Sequence, residues 1–113
     1  MILQQVHLVV LDGQEAPFEA ALCEVRQRVF SSPGFRGFRV LQDAEQLSRY
    51  LVQVDWETRE ELLAVAESGR LERCWTPVQA HLARPMTAEH FVERPALGLN
   101  GPGVVTDLSW TTD

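Results

Sequence analysis

Residues 31–68 read SSPGFRGFRVLQDAEQLSRYLVQVDWETREELLAVAES, and the order of signals inside this stretch decides the fold. Pro33-Gly34 closes whatever precedes it, because proline cannot continue a helix and glycine accepts a left-handed backbone without a Cβ penalty. Two strand-like runs follow, Phe35 to Gln42 and Leu47 to Trp56. The polar residues Asp43 to Gln46 between them suit the loop of an antiparallel hairpin. In the second run Tyr50, Val52, Val54 and Trp56 share one face, and Leu51, Gln53 and Asp55 share the other. Thr58-Arg-Glu-Glu61 is a capping box, and it starts a helix through Leu62 to Glu67.

Working outward toward the N-terminus, Ile2 to Leu11 is a β-branched and apolar run, expected as a first strand, and Asp12-Gly13 is its turn. Asp12 precedes Glu15 by three positions, a second capping-box spacing. Phe18, Leu22, Val25 and Val29 then recur at helical intervals, so a helix is expected from about Gln14 to Phe30. Toward the C-terminus Gly69 interrupts the helical pattern. Leu71, Trp75, Val78 and Leu82 resume it around Pro77, which predicts a kinked or broken segment. Thr87 to Arg94 reads as a last strand. The remainder, residues 95–113, has turn composition, with a short strand conceivable at Val104-Val105.

The order strand, helix, strand, strand, helix, strand is α+β, the ferredoxin-like βαββαβ arrangement with an antiparallel sheet. It assigns residues 1–94 to the domain and 95–113 to a tail. Polar residues dominate neither face of the strands Ile2 to Leu11 and Leu47 to Trp56. The face away from the helices therefore needs its own cover, and a second copy of the sheet supplies it most economically.

Composition narrows the class further. The chain has 113 residues, 45% of them hydrophobic, which suits one domain with a modest core. Ten basic residues, all arginine, stand against sixteen acidic ones for a net charge of -6. The arginines are scattered, whereas a phosphate backbone rewards clustered cations, so nucleic acid is not an expected partner. No apolar run approaches bilayer length and the N-terminus has no basic leader, so no membrane is expected and the location is expected to be cytoplasmic. Cys23 and Cys74 lie far apart in helical patterns, expected as buried free thiols.

At Pro33-Gly34-Phe35, Tyr50, Val52, Val54, Trp56, Glu57-Thr58, the helix Arg59 to Glu67 and Ser68, the chain resembles the antibiotic biosynthesis monooxygenase family of dimeric α+β barrel proteins. The resemblance spans roughly residues 2–94, the length of an ordinary domain. It implies a homodimer whose two sheets close a barrel, with a small cavity between sheet and helices in each subunit. The family includes cofactor-free oxygenases acting on quinols or polyketide aromatics, haem-degrading enzymes, and relatives with no established reaction. The haem-degrading branch carries an Asn near the end of the first strand and a Trp and a His on the second helical region. This chain has His7, Val65 and Trp75 there, which argues against haem breakdown.

The candidates for chemistry follow. Cofactor-free oxygenation needs an aromatic hydroxyl to lose its proton, and histidine titrates in the useful range. His7 on the first strand and His81 beside the Leu71–Leu82 stripe are the expected bases, with His90 ranked behind both. Trp75, Tyr50 and Trp56 would wall a flat apolar site, joined by Phe35 or Phe38 according to register, although Trp56 equally suits core packing. Arg36 or Arg39, on opposite faces of their strand, would meet a developing enolate or phenolate charge. No H-x-x-x-H or C-x-x-C spacing fixes a metal pair, and no phosphate loop, nucleophile elbow or dinucleotide fingerprint occurs. The expectation is a homodimeric, cofactor-independent, monooxygenase-like enzyme for a small aromatic or quinol-type metabolite, needing neither metal nor flavin. The alternative is a non-catalytic or regulatory small-ligand-binding dimer, since fold alone does not license a reaction.

Overall fold

Alternation along two strands sets the layers. In β1 (Ile2–Val9) the residues Ile2, Gln4, Val6 and Leu8 are buried, and Leu3, Gln5, His7 and Val9 are only half-buried. β3 (Arg49–Trp56) repeats the pattern, with Tyr50, Val52, Val54 and Trp56 buried and Leu51, Gln53 and Asp55 half-buried. The two strands pair antiparallel, Ile2 against Trp56 and Val6 against Val52, so the buried sets coincide on one face. The computed structural model describes residues 1–99. Its sheet has four strands in the order β2-β3-β1-β4, where β2 is Phe35–Gln42 and β4 is Thr87–Val92. Every pairing is antiparallel.

Helices cover the buried face. α1 (Glu15–Phe30) lays Phe18, Leu22, Val25 and Val29 on it, and α2 (Arg59–Glu67) adds Leu62 and Val65. α3 (Arg70–Cys74) and a 3₁₀ segment (Thr76–His81) contribute Cys74 and Val78, with Pro77 in the first turn of the 3₁₀ segment. This is the expected broken segment. Aromatic rings pack between and within the layers: Phe18 of α1 lies 4.7 Å from Tyr50 of β3, and Phe35 meets its cross-strand partner Trp56 edge-on at 6.5 Å.

Local chemistry explains the element ends. Thr58 Oγ1 accepts from the Glu61 backbone N–H at 3.1 Å, the expected cap of α2, and the Thr58 hydroxyl donates to the Glu61 carboxylate. At the hairpin loop Asp43 Oδ1 accepts from the N–H groups of Glu45 and Gln46. Those bonds hold the Asp43 carboxyl below its ordinary range. The Asp12–Glu15 box does not form. Gly13 takes a left-handed turn at φ 79 and Gln14 becomes the N-cap with no side-chain bond, leaving Asp12 two residues too early. β1 also stops at Val9, because Leu11 N–H turns to the His81 carbonyl at 2.9 Å and Val10 bridges to Leu82. Cys74 is buried as expected, but Cys23 is exposed, since it follows Leu22 by one residue and so leaves the buried stripe. The short strand considered at Val104-Val105 lies outside the described residues.

The helices stop short of β4. All six of its residues are exposed, including Val92 at 63%, and a hollow opens between α2 and the β1–β4 edge.

Candidate functional site

The hollow is a cavity of about 300 Å³, at the small end of ligand pockets. Ile2 and Val92 from the sheet and Leu62, Leu63 and Leu71 from the helical side make its walls apolar. Three polar side chains line it: Gln4, His90 and Arg59.

Gln4 is the unusual one, because it lies on the buried face of β1 and is only 4% exposed. A buried amide requires partners on both its ends. Strand register provides them: Gln4 pairs with Val54 on one side, two residues from Trp56, and directly with His90 on the other. Trp56 Nε1 donates to Gln4 Oε1 at 3.2 Å, and Gln4 Nε2 lies 3.5 Å from His90 Nε2. An indole N–H only donates, so Gln4 must turn its carbonyl to Trp56 and its NH₂ to His90. The row Trp56–Gln4–His90 thus runs from the core to the cavity.

The residues expected from sequence fall elsewhere, with one exception. His7 is on the opposite sheet face, its Nε2 2.7 Å from Glu89 Oε1, the two side chains 36% and 59% exposed. His81 ends the 3₁₀ segment and its Nδ1 lies 3.1 Å from Gln14 Oε1. Neither histidine lines the cavity, and His7 and His81 are not brought together there. Trp75 is 2% exposed and stacks on Phe38 with centroids 6.3 Å apart, a packing contact. Tyr50 is buried with its hydroxyl donating to Glu19 Oε2 at 2.5 Å and accepting from Gln42 Nε2 at 3.1 Å. Burial, reinforced by the Glu19 carboxylate, pushes its phenol well above the ordinary range. Arg36 pairs with Glu57 at 3.1 Å on the exposed edge of the sheet. Trp56 is the exception, since it is wholly buried yet reaches the cavity through Gln4.

Two residues central to this arrangement were not singled out by sequence reasoning, or were ranked low. Gln4 had a usable signal, a polar residue in phase with Ile2, Val6 and Leu8. His90 had none before the β1–β4 register was known.

The same architecture recurs among solved structures. A Bordetella bronchiseptica protein assigned as an antibiotic biosynthesis monooxygenase superposes with a TM-score of 0.72 at 25% identity, over 82% of this chain and 97% of that one. A Nitrosomonas europaea protein with the same assignment gives 0.68 at 20% identity, over 82% and 98%. SnoaB from Streptomyces nogalater, a cofactor-independent oxygenase, gives 0.67 at 16% identity, over 82% and 93%, a likeness of fold. No curated protein matches the chain closely enough to count as a relative. The pattern of the antibiotic biosynthesis monooxygenase family matches residues 1–74.

The chain belongs to that family. The match covers β1 through α3, the elements that supply Gln4, Trp56 and Arg59. β4, which carries His90, lies beyond it. Among the described residues no helix is long and apolar enough to cross a membrane, and no three His, Cys, Asp or Glu side chains are grouped to hold a metal ion.

Proposed function

We propose that this antibiotic biosynthesis monooxygenase family member is a cofactor-independent, monooxygenase-like enzyme for a small aromatic or quinol-type metabolite. In this reading His90 is the general base and Gln4 the oxyanion donor. The observation that carries it is the 3.5 Å separation of Gln4 Nε2 and His90 Nε2 at the wall of an apolar cavity. That distance is long for a hydrogen bond. Facing the amide donor, His90 Nε2 offers its lone pair and keeps its proton on Nδ1. A donor and an acceptor side by side match a hydroxyl, which would give its proton to His90 and accept from Gln4. Buried Trp56 fixes the Gln4 amide in the orientation this requires.

The chemistry follows from the anion so formed. His90 takes the hydroxyl proton, and Gln4 N–H stabilises the charge developing on oxygen. The electron-rich ring carbon bonds to O₂, passing it an electron pair, and protonation gives a hydroperoxide. Loss of water then leaves one new carbonyl. Each turnover consumes one substrate and one O₂ and releases one water. SnoaB, with the same fold, supports an oxygenase of this type. The bare sheet face supports a homodimer as the working unit.

Oxygen uptake with a panel of small quinols tests the assignment. His90→Ala should lower the rate by about 10²-fold or more, and Gln4→Leu by a comparable factor. His81→Ala should stay within about twofold of the wild type, since that side chain does not line the cavity. Full activity in His90→Ala would sink the base assignment. No uptake by the wild type across the panel would favour the non-catalytic ligand-binding dimer.

A further inference from the structure

We infer that the cavity selects planar aromatic acids, with the ligand's carboxylate held by Arg59; this rests on the cavity being the binding site. Sixteen acidic residues occur in the chain, yet no Asp or Glu lines this cavity and its one permanently charged side chain is Arg59. Arg28, Arg36 and Arg49 each pair with a carboxylate; Arg59 is one of the seven arginines that make no ion pair among the described residues, and the one of them that lines this cavity. Helix stability does not account for it either. Arg59 is the first residue of α2, where the helix dipole disfavours a cation. An exposed arginine at the border of an apolar hollow offers a planar fork of donors that matches a two-oxygen anion.

Its position sets where the charge sits on the ligand. Trp56 pairs with Ile2 and Ile2 with Val92, so Arg59, three residues after Trp56, enters at that end of the sheet. Gln4 and His90 lie two residues further along their strands, ~7 Å from Ile2 and Val92 at strand rise. A ring bridging the two positions carries its carboxylate toward Arg59 and a separate hydroxyl toward His90. Ile2, Leu62, Leu63 and Val92 hold its faces.

Calorimetric titration of 2-naphthoate and its neutral carboxamide into the full chain tests this. The wild type should bind naphthoate about tenfold more tightly than the carboxamide, the scale of one charge-assisted pair. Arg59→Gln should abolish that preference while leaving carboxamide affinity within about twofold. Equal affinities in the wild type, a preference that survives Arg59→Gln, or no binding of either probe would each overturn the inference. His90→Ala separates the two proposals. A preference that tracks Arg59 alongside unchanged oxygen uptake in His90→Ala removes the base and leaves the anion site. Lost uptake in His90→Ala without any preference for naphthoate removes only the anion site.

Discussion

At the scale of single residues, Trp56 and Tyr50 share one buried strand face but end in different chemistry. Trp56 Nε1 meets the Gln4 carbonyl at 3.2 Å, so Trp56→Phe keeps an aromatic ring and leaves a buried acceptor without its donor. The expected cost is about 2 kcal/mol in urea unfolding. Oxygen uptake should fall as well, because the Gln4 amide loses what orients it. Tyr50 is the only tyrosine in the chain, so phenolate absorbance reports it alone. Burial and then Glu19 raise its folded pKa above the ordinary 10.0, so the fold favours the protonated phenol. The associated stability is complete below pH 10.0 and declines as pH rises above it toward the folded value. Phenolate should therefore appear together with alkaline unfolding. A free titration centred at the ordinary value in the folded protein would contradict the burial. Tyr50→Phe should make the alkaline decline shallower.

At the scale of elements, the join between α1, β2 and α2 rests on one glycine. Gly34 has φ 86, its carbonyl accepts from Glu57 N–H at 2.7 Å, and a Cβ there would come within 2.7 Å of Glu61 Cβ. Gly34→Ala combines left-handed strain with displacement of the residue that completes the Thr58 cap. It should cost about 2 kcal/mol or more, against about 1 for Thr58→Ala, both readable from urea midpoints. This join was legible in the sequence because its signals are local: Pro33-Gly34, the Thr58 cap, and alternation from Tyr50 to Trp56. The missed cap at Asp12 was local too, but Gly13 and Gln14 outcompeted it by inserting a turn. The site was harder to see because it depends on register. Alternation places His7 in phase with Leu3 and Val9, and so away from Gln4. Only the pairing of β1 with β4 brings His90 to Gln4 across 86 positions of sequence.

At the scale of the whole molecule, the sheet has one clothed face and one bare one. Leu3, Val9, Leu41 and Leu51 are half-buried on the bare side and Phe91 is 43% exposed, an apolar surface interleaved with Gln5, Gln53, Arg39 and the His7–Glu89 pair. Leu51 stands opposite His7 on the central strand pair, far from either sheet edge. If a second copy covers this face, Leu51 is near the middle of the contact and His7 and Glu89 lie within it. Leu51→Glu would then bury a carboxylate without a designed partner in each half of the dimer. At about 3 kcal/mol for an uncompensated buried charge, dissociation should strengthen by at least about 100-fold. The helix-facing core is untouched by this substitution, so the far-ultraviolet circular dichroism of the isolated chain should be preserved. Sedimentation should show dimer for the wild type and monomer for Leu51→Glu at micromolar concentrations. A wild type that sediments as a monomer there would leave the bare face without its proposed cover.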